Sequence, residues 1–177
     1  AYGQDAIGQS MLLARRLVEH GSRFVTAAGY AGQAWDAHDD GDKQYREKLG
    51  PTLDKSLPVL INDLDDRGLL DSTIVIVMGE FGRTADINLG GGRDHWPECW
   101  SVLLAGGGIR GGQVYGASNE TGAYVSDKMV SMGDLFATIY KALGIDWTKE
   151  IMHPVGRPIK IANSFDDQTG QPINALL

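Results

Sequence analysis

The spacing of hydrophobic positions predicts helices in two places in the first half of the chain. Residues 5–20 carry apolar side chains at helical spacing, and Gly21 ends the segment. A longer amphipathic pattern covers residues 45–67, with a break or kink expected at Pro51 or Pro58. The predicted buried positions are Ile7, Met11, Ala14, Leu17 and Val18 in the first segment and Leu49, Leu53, Leu57, Leu60, Ile61 and Leu64 in the second.

A third helix is predicted over residues 131–143. Ser131 is suited to cap its first turn, with Asp134 three residues later in a box-like arrangement. The positions expected to face inward are Met132, Leu135, Phe136, Ile139 and Leu143.

Strands are predicted over residues 22–28, 73–78 and 100–105. The second of these runs is β-branched and continuously apolar, which is typical of a strand buried on both faces. A strand, a helix and a strand in that order favour a right-handed parallel crossover. The sequence therefore predicts a central strand at residues 73–78 with the Phe24 strand beside it in parallel.

Composition narrows the class of protein. The chain has 177 residues, 42% of them hydrophobic, which suits one globular domain over residues 1–177. Residues 148–177 are expected to form an irregular wrapping tail.

A net charge of −7 argues against a nucleic-acid partner, and no apolar stretch is long enough to span a membrane. Cys99 is the sole cysteine, so an internal disulfide and a zinc-thiolate cluster are excluded.

Three separate segments supply oxygen or imidazole ligands next to small residues. They are a loop predicted over residues 29–42, the end of the second predicted strand, and a glycine run at residues 90–92. In parallel sheets, ligands collect beyond the carboxyl ends of the strands, and the first two segments follow predicted strands. This pattern is typical of a divalent-metal hydrolase site. The residues expected to converge are Asp36, His38, Glu80, Asp94 and His95.

Each candidate also has a structural interpretation. His38 lies in an acid-rich loop, where a solvated surface turn is common. An Asp94–His95 pair beside tryptophans is costly unless it is hydrogen-bonded or coordinates an ion. Glu80 is a ligand, a general base, or a carboxylate paired with Arg83 or Arg93. The guanidinium fork of Arg83 also matches a phosphate or sulfate oxyanion.

The chain resembles the C-terminal part of a bacterial family, domain of unknown function 1501, which is sulfatase-like and placed within the alkaline phosphatase superfamily. The resemblance implies a three-layer α/β/α sandwich with a mostly parallel central sheet. The segments that carry it are residues 14–19, 35–38, 79–84, 91–96, 104–108, 111–112, 134–139 and 143–145.

The resemblance also implies a hydrolase acting on a small-molecule or polymer-borne phosphate or sulfate ester. A divalent ion (zinc, calcium or manganese) is expected on Asp36, His38, Glu80, Asp94 and His95, with Glu80 as ligand or base. Arg83 and Arg93 would hold the oxyanion of the ester. The nucleophile of the superfamily lies well upstream, so a missing N-terminal part of the same protein is an expected partner, and a periplasmic or secreted location is favoured.

Glu80 has no adjacent histidine, which departs from the superfamily pattern and keeps a rival interpretation open. The rival is a non-catalytic binding or structural module on the same scaffold. A third interpretation is a carbohydrate- or polymer-binding domain that uses Trp35, Trp96 and Trp100 as stacking faces.

Overall fold

The computed structural model describes residues 1–30 and 34–177. The chain divides into two compact units: Ala1–Leu70 with Gly79–Trp100, and Asp71–Met78 with Ser101–Leu177. Positions 31–33 of the predicted loop lie outside the described residues.

The first unit contains the helices of the N-terminal part of the chain. Helix α1 spans Ala6–Glu19 and begins where the Asp5 side chain accepts a hydrogen bond from the Gly8 amide, 2.9 Å away. Helix α2 (Gly41–Gln44) leads into a π-helical turn (Tyr45–Leu49) and then into α3 (Gly50–Asp66). The change from π-helical to α-helical hydrogen bonding thus lies directly before Pro51, whereas α3 continues through Pro58 without a break. In the described part of the chain, no helix is long and apolar enough to cross a membrane.

Helices α1 and α3 pack against each other and form the core of the first unit. The interface is not purely apolar, because Arg15 of α1 is buried at 7% exposure. The sequence pattern places Arg15 off the apolar stripe, but its guanidinium pairs with Asp63 of α3 and Glu19 of its own helix. Leu17 is 40% exposed, against prediction. The buried apolar residues are Tyr2, Ile7, Met11, Leu49, Leu60 and Leu64.

The second unit contains short antiparallel ladders. Strand β1 (Val75–Val77) pairs with β4 (Leu103–Ala105), so Ile76 lies opposite Leu104. Two further hairpins follow: β5 (Ala117–Ser118) pairs with β6 (Val125–Asp127), and β7 (Glu150–Met152) pairs with β8 (Pro158–Lys160). The last hairpin lies inside the segment expected to be irregular. 3₁₀ turns are found at Leu70–Ser72, Phe165–Asp167 and Asn174–Leu176.

Helix α4 (Met132–Ala142) is the helix of the second unit and starts with the predicted capping box. The Ser131 hydroxyl accepts from the Asp134 amide, and the Asp134 carboxylate accepts from the Ser131 amide, both at 3.0 Å. The C-terminal segment packs on this helix, because the Ile173 amide donates to the Thr138 hydroxyl at 2.9 Å. Leu135 and Ile139 face inward as predicted, whereas Phe136 and Leu143 are exposed.

The predicted three-layer sandwich with a mostly parallel sheet is wrong. Every strand pair in the described residues is antiparallel and belongs to a two-stranded ladder. Residues 22–28 are not assigned to a strand, so β1 has no parallel neighbour there. Residues 73–78 are not buried on both faces either, because Ile76 and Met78 are 37% and 43% exposed. The apolar run has the composition of a central strand but pairs through three residues only.

Candidate metal centre

A short hairpin in the first unit places Arg83 and His95 side by side. Strand β2 (Gly82–Arg83) pairs antiparallel with β3 (His95–Trp96), and Arg83 lies directly opposite His95. Directly opposed residues of an antiparallel pair share one face of the ladder. A Cβ on Gly82 would lie 2.0 Å from the carbonyl oxygen of Cys99, so the close approach at this position requires glycine.

The loop that carries Asp36 and His38 is held against the glycine run at residues 90–92. The Asp40 amide donates to the Gly90 carbonyl at 2.9 Å, and Asp39 forms an isolated bridge with Gly91. A Cβ on Gly92 would lie 2.1 Å from the His38 carbonyl oxygen. The glycines therefore allow two backbone segments to meet closely enough for their side chains to share one site.

Three potential ligand atoms meet where the loop and the hairpin join. Asp36 Oδ1 lies 2.9 Å from His95 Nε2 and 3.1 Å from His38 Nε2. The two imidazole nitrogens are 3.2 Å apart. Asp36, His38 and His95 thus form a group that can hold a metal ion, with one atom from each residue in a compact triangle.

One carboxylate (Asp36) is a corner of this triangle and a second (Asp94) lies beside it, and both are hydrogen-bonded. The bond from His95 and the neighbouring Arg83 guanidinium lower the pKa of Asp36 to about 2. Asp94 Oδ1 lies 3.0 Å from His38 Nδ1 and accepts from Asn88 Nδ2 at 3.1 Å. These bonds, the one from His38 first, lower the pKa of Asp94. Both carboxylates are therefore anionic at neutral pH, which favours a cation.

The side chains of the candidate site are partly exposed to solvent. The side chain of Asp36 is 28% exposed, and those of His38 and His95 are 42% and 46% exposed. The Phe81 ring lies against His95 with a centroid separation of 4.1 Å and restricts how that imidazole turns. The three side chains are therefore partly accessible to solvent, and the His95 ring is packed against Phe81.

Of the other predicted site residues, Glu80, Arg83 and Arg93, one lies at the triangle. Glu80 is exposed and is not part of the described group of clustered ligand atoms. Arg83 donates from Nη2 to Asp36 and from Nη1 to the Arg93 carbonyl, so it lies at the site. Arg93 instead donates from Nη1 to the carbonyls of Thr84 and Ala85 and holds the loop backbone. Arg83 is thus the arginine directed at the triangle.

Asn88 and Phe81 belong to the site but were not singled out from the sequence. Asn88 Oδ1 accepts from the amides of Gly90 and Gly92, both at 3.0 Å. An asparagine two residues before a glycine run is a known turn former, so the signal for Asn88 was present in the sequence. No local sequence pattern indicates a role for Phe81, because its contact with His95 depends on the register of the hairpin.

The family model described as "Protein of unknown function (DUF1501)" matches residues 1–177. The chain belongs to this family. The DUF1501 match covers both units, and so includes Asp36, His38 and His95. No curated protein and no solved structure gives a significant match to this DUF1501 chain.

Proposed function

We propose that this chain binds one divalent metal ion on Asp36, His38 and His95, and is the metal-binding portion of a sulfatase-like hydrolase of phosphate or sulfate esters. The observation that carries the proposal is the triangle of Asp36 Oδ1, His38 Nε2 and His95 Nε2, with sides of 2.9, 3.1 and 3.2 Å. Ligand atoms about 2.0–2.1 Å from a tetrahedral zinc ion are about 3.3 Å from one another. The triangle is close to that size.

The donor set favours zinc over calcium. Calcium prefers six to eight oxygen ligands, whereas this triangle offers two imidazole nitrogens and one carboxylate oxygen. Imidazole suits zinc, and two histidines with one carboxylate recur in catalytic zinc sites. We therefore expect zinc to bind most tightly among zinc, manganese and calcium.

The exposure of the triangle supports a catalytic rather than a purely structural ion. Structural zinc sites are closed by four protein ligands, whereas catalytic sites keep a position open for water or substrate. Here both histidines are more than 40% exposed. A bound ion supplies Lewis-acid polarisation of an ester oxygen.

Arg83 is suited to hold an oxyanion beside the triangle. Its side chain is 27% exposed, and its guanidinium lies against Asp36, on the ladder face shared with His95. A guanidinium fork binds phosphate or sulfate oxygens in two parallel hydrogen bonds. The ester substrate, whether a small molecule or borne on a polymer, would thus be positioned by Arg83. A segment elsewhere in the protein would supply the nucleophile, as the resemblance implies.

The alternative is a non-catalytic metal-binding module. The position of Glu80 favours it, because this carboxylate is exposed and outside the described cluster, and so provides no second metal ligand or base there. Both functions predict metal binding. They differ in whether a bound ester is hydrolysed.

Calorimetric titration of the metal-stripped chain with zinc, manganese and calcium tests the proposal. We expect one zinc per chain, with affinity lost in His38→Ala and His95→Ala. His20→Ala is the matched control, because His20 bonds the Arg16 carbonyl at the end of α1. Absence of zinc binding, or equal losses in all three variants, would overturn the metal site.

Turnover of an aryl phosphate and an aryl sulfate by the zinc-loaded chain separates the two functions. Hydrolysis that is abolished in His95→Ala supports the ester hydrolase. Zinc binding without hydrolysis, both by the chain and by any longer form of the protein, supports the non-catalytic module. Robust turnover by these 177 residues would show that no other segment supplies the nucleophile.

A further inference from the structure

Asp94 lies on the side of the His38 ring that faces away from the triangle. Its Oδ1 is 3.0 Å from Nδ1, whereas the triangle is formed by Nε2 of the same ring. The two nitrogens of an imidazole point in divergent directions, so a carboxylate aligned with Nδ1 is not placed to share an ion with Nε2. Asp94 was expected to be a metal ligand, and this geometry argues for a different role.

Asn88 holds Asp94 in this position with both halves of its amide. Asn88 Nδ2 donates to Asp94 Oδ1 at 3.1 Å and to the His38 carbonyl at 3.0 Å. Its oxygen accepts from two glycine amides. If the Asn88 amide were turned over, its NH₂ group would face the two glycine amides and its oxygen would face Asp94 and the His38 carbonyl. Neither arrangement forms hydrogen bonds, so the network fixes which end of the amide faces Asp94.

We propose that Asp94 is the positioning residue of His38: it accepts a hydrogen bond from Nδ1–H and thereby leaves the lone pair on Nε2 for the metal, with Asn88 holding the carboxylate in place. The metal part of this inference rests on the proposed function. Ligating histidines commonly donate their other N–H to a carboxylate, which fixes the tautomer and ring orientation. The tautomer itself does not depend on metal being bound.

Nuclear magnetic resonance of the full chain with ¹⁵N-labelled histidine measures the tautomer directly. In the metal-free protein, at a pH where the ring is neutral, we expect His38 to be protonated on Nδ1. Asp94→Ala should shift it toward protonation on Nε2, the form that free histidine favours. Asp94→Asn should retain the native tautomer, because its amide oxygen still accepts from Nδ1–H. An unchanged tautomer in Asp94→Ala, or Nε2 protonation in the native chain, overturns the proposal.

Zinc affinity of the same variants separates positioning from ligation. A positioning residue predicts a loss of about 10- to 100-fold in Asp94→Ala, with partial recovery in Asp94→Asn, and a larger loss in His38→Ala. A ligand predicts equal losses in Asp94→Ala and His38→Ala with no recovery, which would contradict the proposal. Asp42→Ala is the matched control, since this exposed carboxylate pairs with Arg46 rather than with the site.

The two readouts also distinguish failure of this inference from failure of the proposed function. If the native chain binds no zinc but the His38 tautomer changes in Asp94→Ala, the proposed function fails and the positioning role stands. If zinc binds on His38 but the tautomer is insensitive to Asp94, the metal site stands and the positioning role fails.

Discussion

Arg15 of α1 and Asp63 of α3 form an ion pair across the helix interface, with Arg15 Nε 2.9 Å from Asp63 Oδ2. The arginine side chain is 8% exposed and the aspartate 23% exposed. Arg67 and Tyr2 also donate to the same carboxylate, at 2.7 and 2.9 Å. One acidic side chain therefore satisfies three donors.

Asp63→Ala should destabilise the chain by about 1–3 kcal/mol, because it leaves the Nε donor of the buried Arg15 guanidinium without its acceptor. Urea denaturation measures the change. The double variant Arg15→Met/Asp63→Leu should recover part of the loss, since no buried charge is left unpaired. Asp42→Ala, which removes an exposed pair with Arg46, is the control and should change stability little. Equal effects of Asp63→Ala and Asp42→Ala would contradict this account.

The Tyr2 phenol makes the stability depend on alkaline pH. Burial, together with the hydrogen bond to Asp63, raises the pKa of Tyr2 from 10.0 to about 12. The folded state therefore holds this proton more tightly than the unfolded state does. The contribution of the protonated Tyr2 phenol to the free energy of unfolding is fully present below pH 10. It is lost as the pH rises toward about 12. Urea midpoints measured across this range should fall less steeply in Tyr2→Phe than in the native chain. Tyr45→Phe, at an exposed tyrosine, should keep the native dependence.

Gly92→Ala should disrupt the candidate metal centre. The added Cβ would meet the backbone carbonyl oxygens of His38 and Ala37 at 2.1 and 2.8 Å, so the loop must shift. We expect zinc affinity to fall by at least about tenfold, as for other losses of ligand support. Gly111→Ala is the control, because its Cβ meets nothing within 4 Å. Native zinc affinity in Gly92→Ala would show that the close approach of the two segments is not required.

Arg83→Ala should weaken anion binding without weakening metal binding. Removing a positive charge beside Asp36 favours a cation there, so zinc affinity should stay equal or increase. The affinity of the zinc-loaded chain for inorganic phosphate should fall roughly tenfold with the loss of a charged hydrogen-bond donor. Calorimetry measures both constants, with Arg46→Ala as the control. A parallel loss of zinc and phosphate affinity would indicate that Arg83 supports the metal site itself.

The helices were predictable from the sequence because their signals are local. Periodicity located α1 and α4, and the Ser131–Asp134 spacing gave the capping box. Burial of Arg15 was not predictable, because it depends on Asp63, a residue 48 positions away on another helix. An amphipathic pattern indicates which face of one helix is buried. It does not identify the residue on another helix that forms an ion pair with a buried charge.

The sheet was predicted wrongly because composition does not specify a strand's partner. Residues 73–78 look like a central parallel strand, but β1 pairs antiparallel with β4. Asp36, His38, Asp94 and His95 nevertheless lie together, through a hairpin and a glycine loop rather than through the edge of a parallel sheet. Their metal binding stays a prediction.

Asp36 and His95 are 59 positions apart in the sequence, and helices α1 and α3 fold against each other in the same unit. A cation held by both residues would act as a reversible cross-link that closes a long loop and restricts the unfolded chain. The unit would then gain stability as the free concentration of the ion rises. Treatment with a chelator would lower the unfolding temperature of helices α1 and α3, although neither helix contributes a ligand. The thermal unfolding of these helices would therefore report whether the ion is bound.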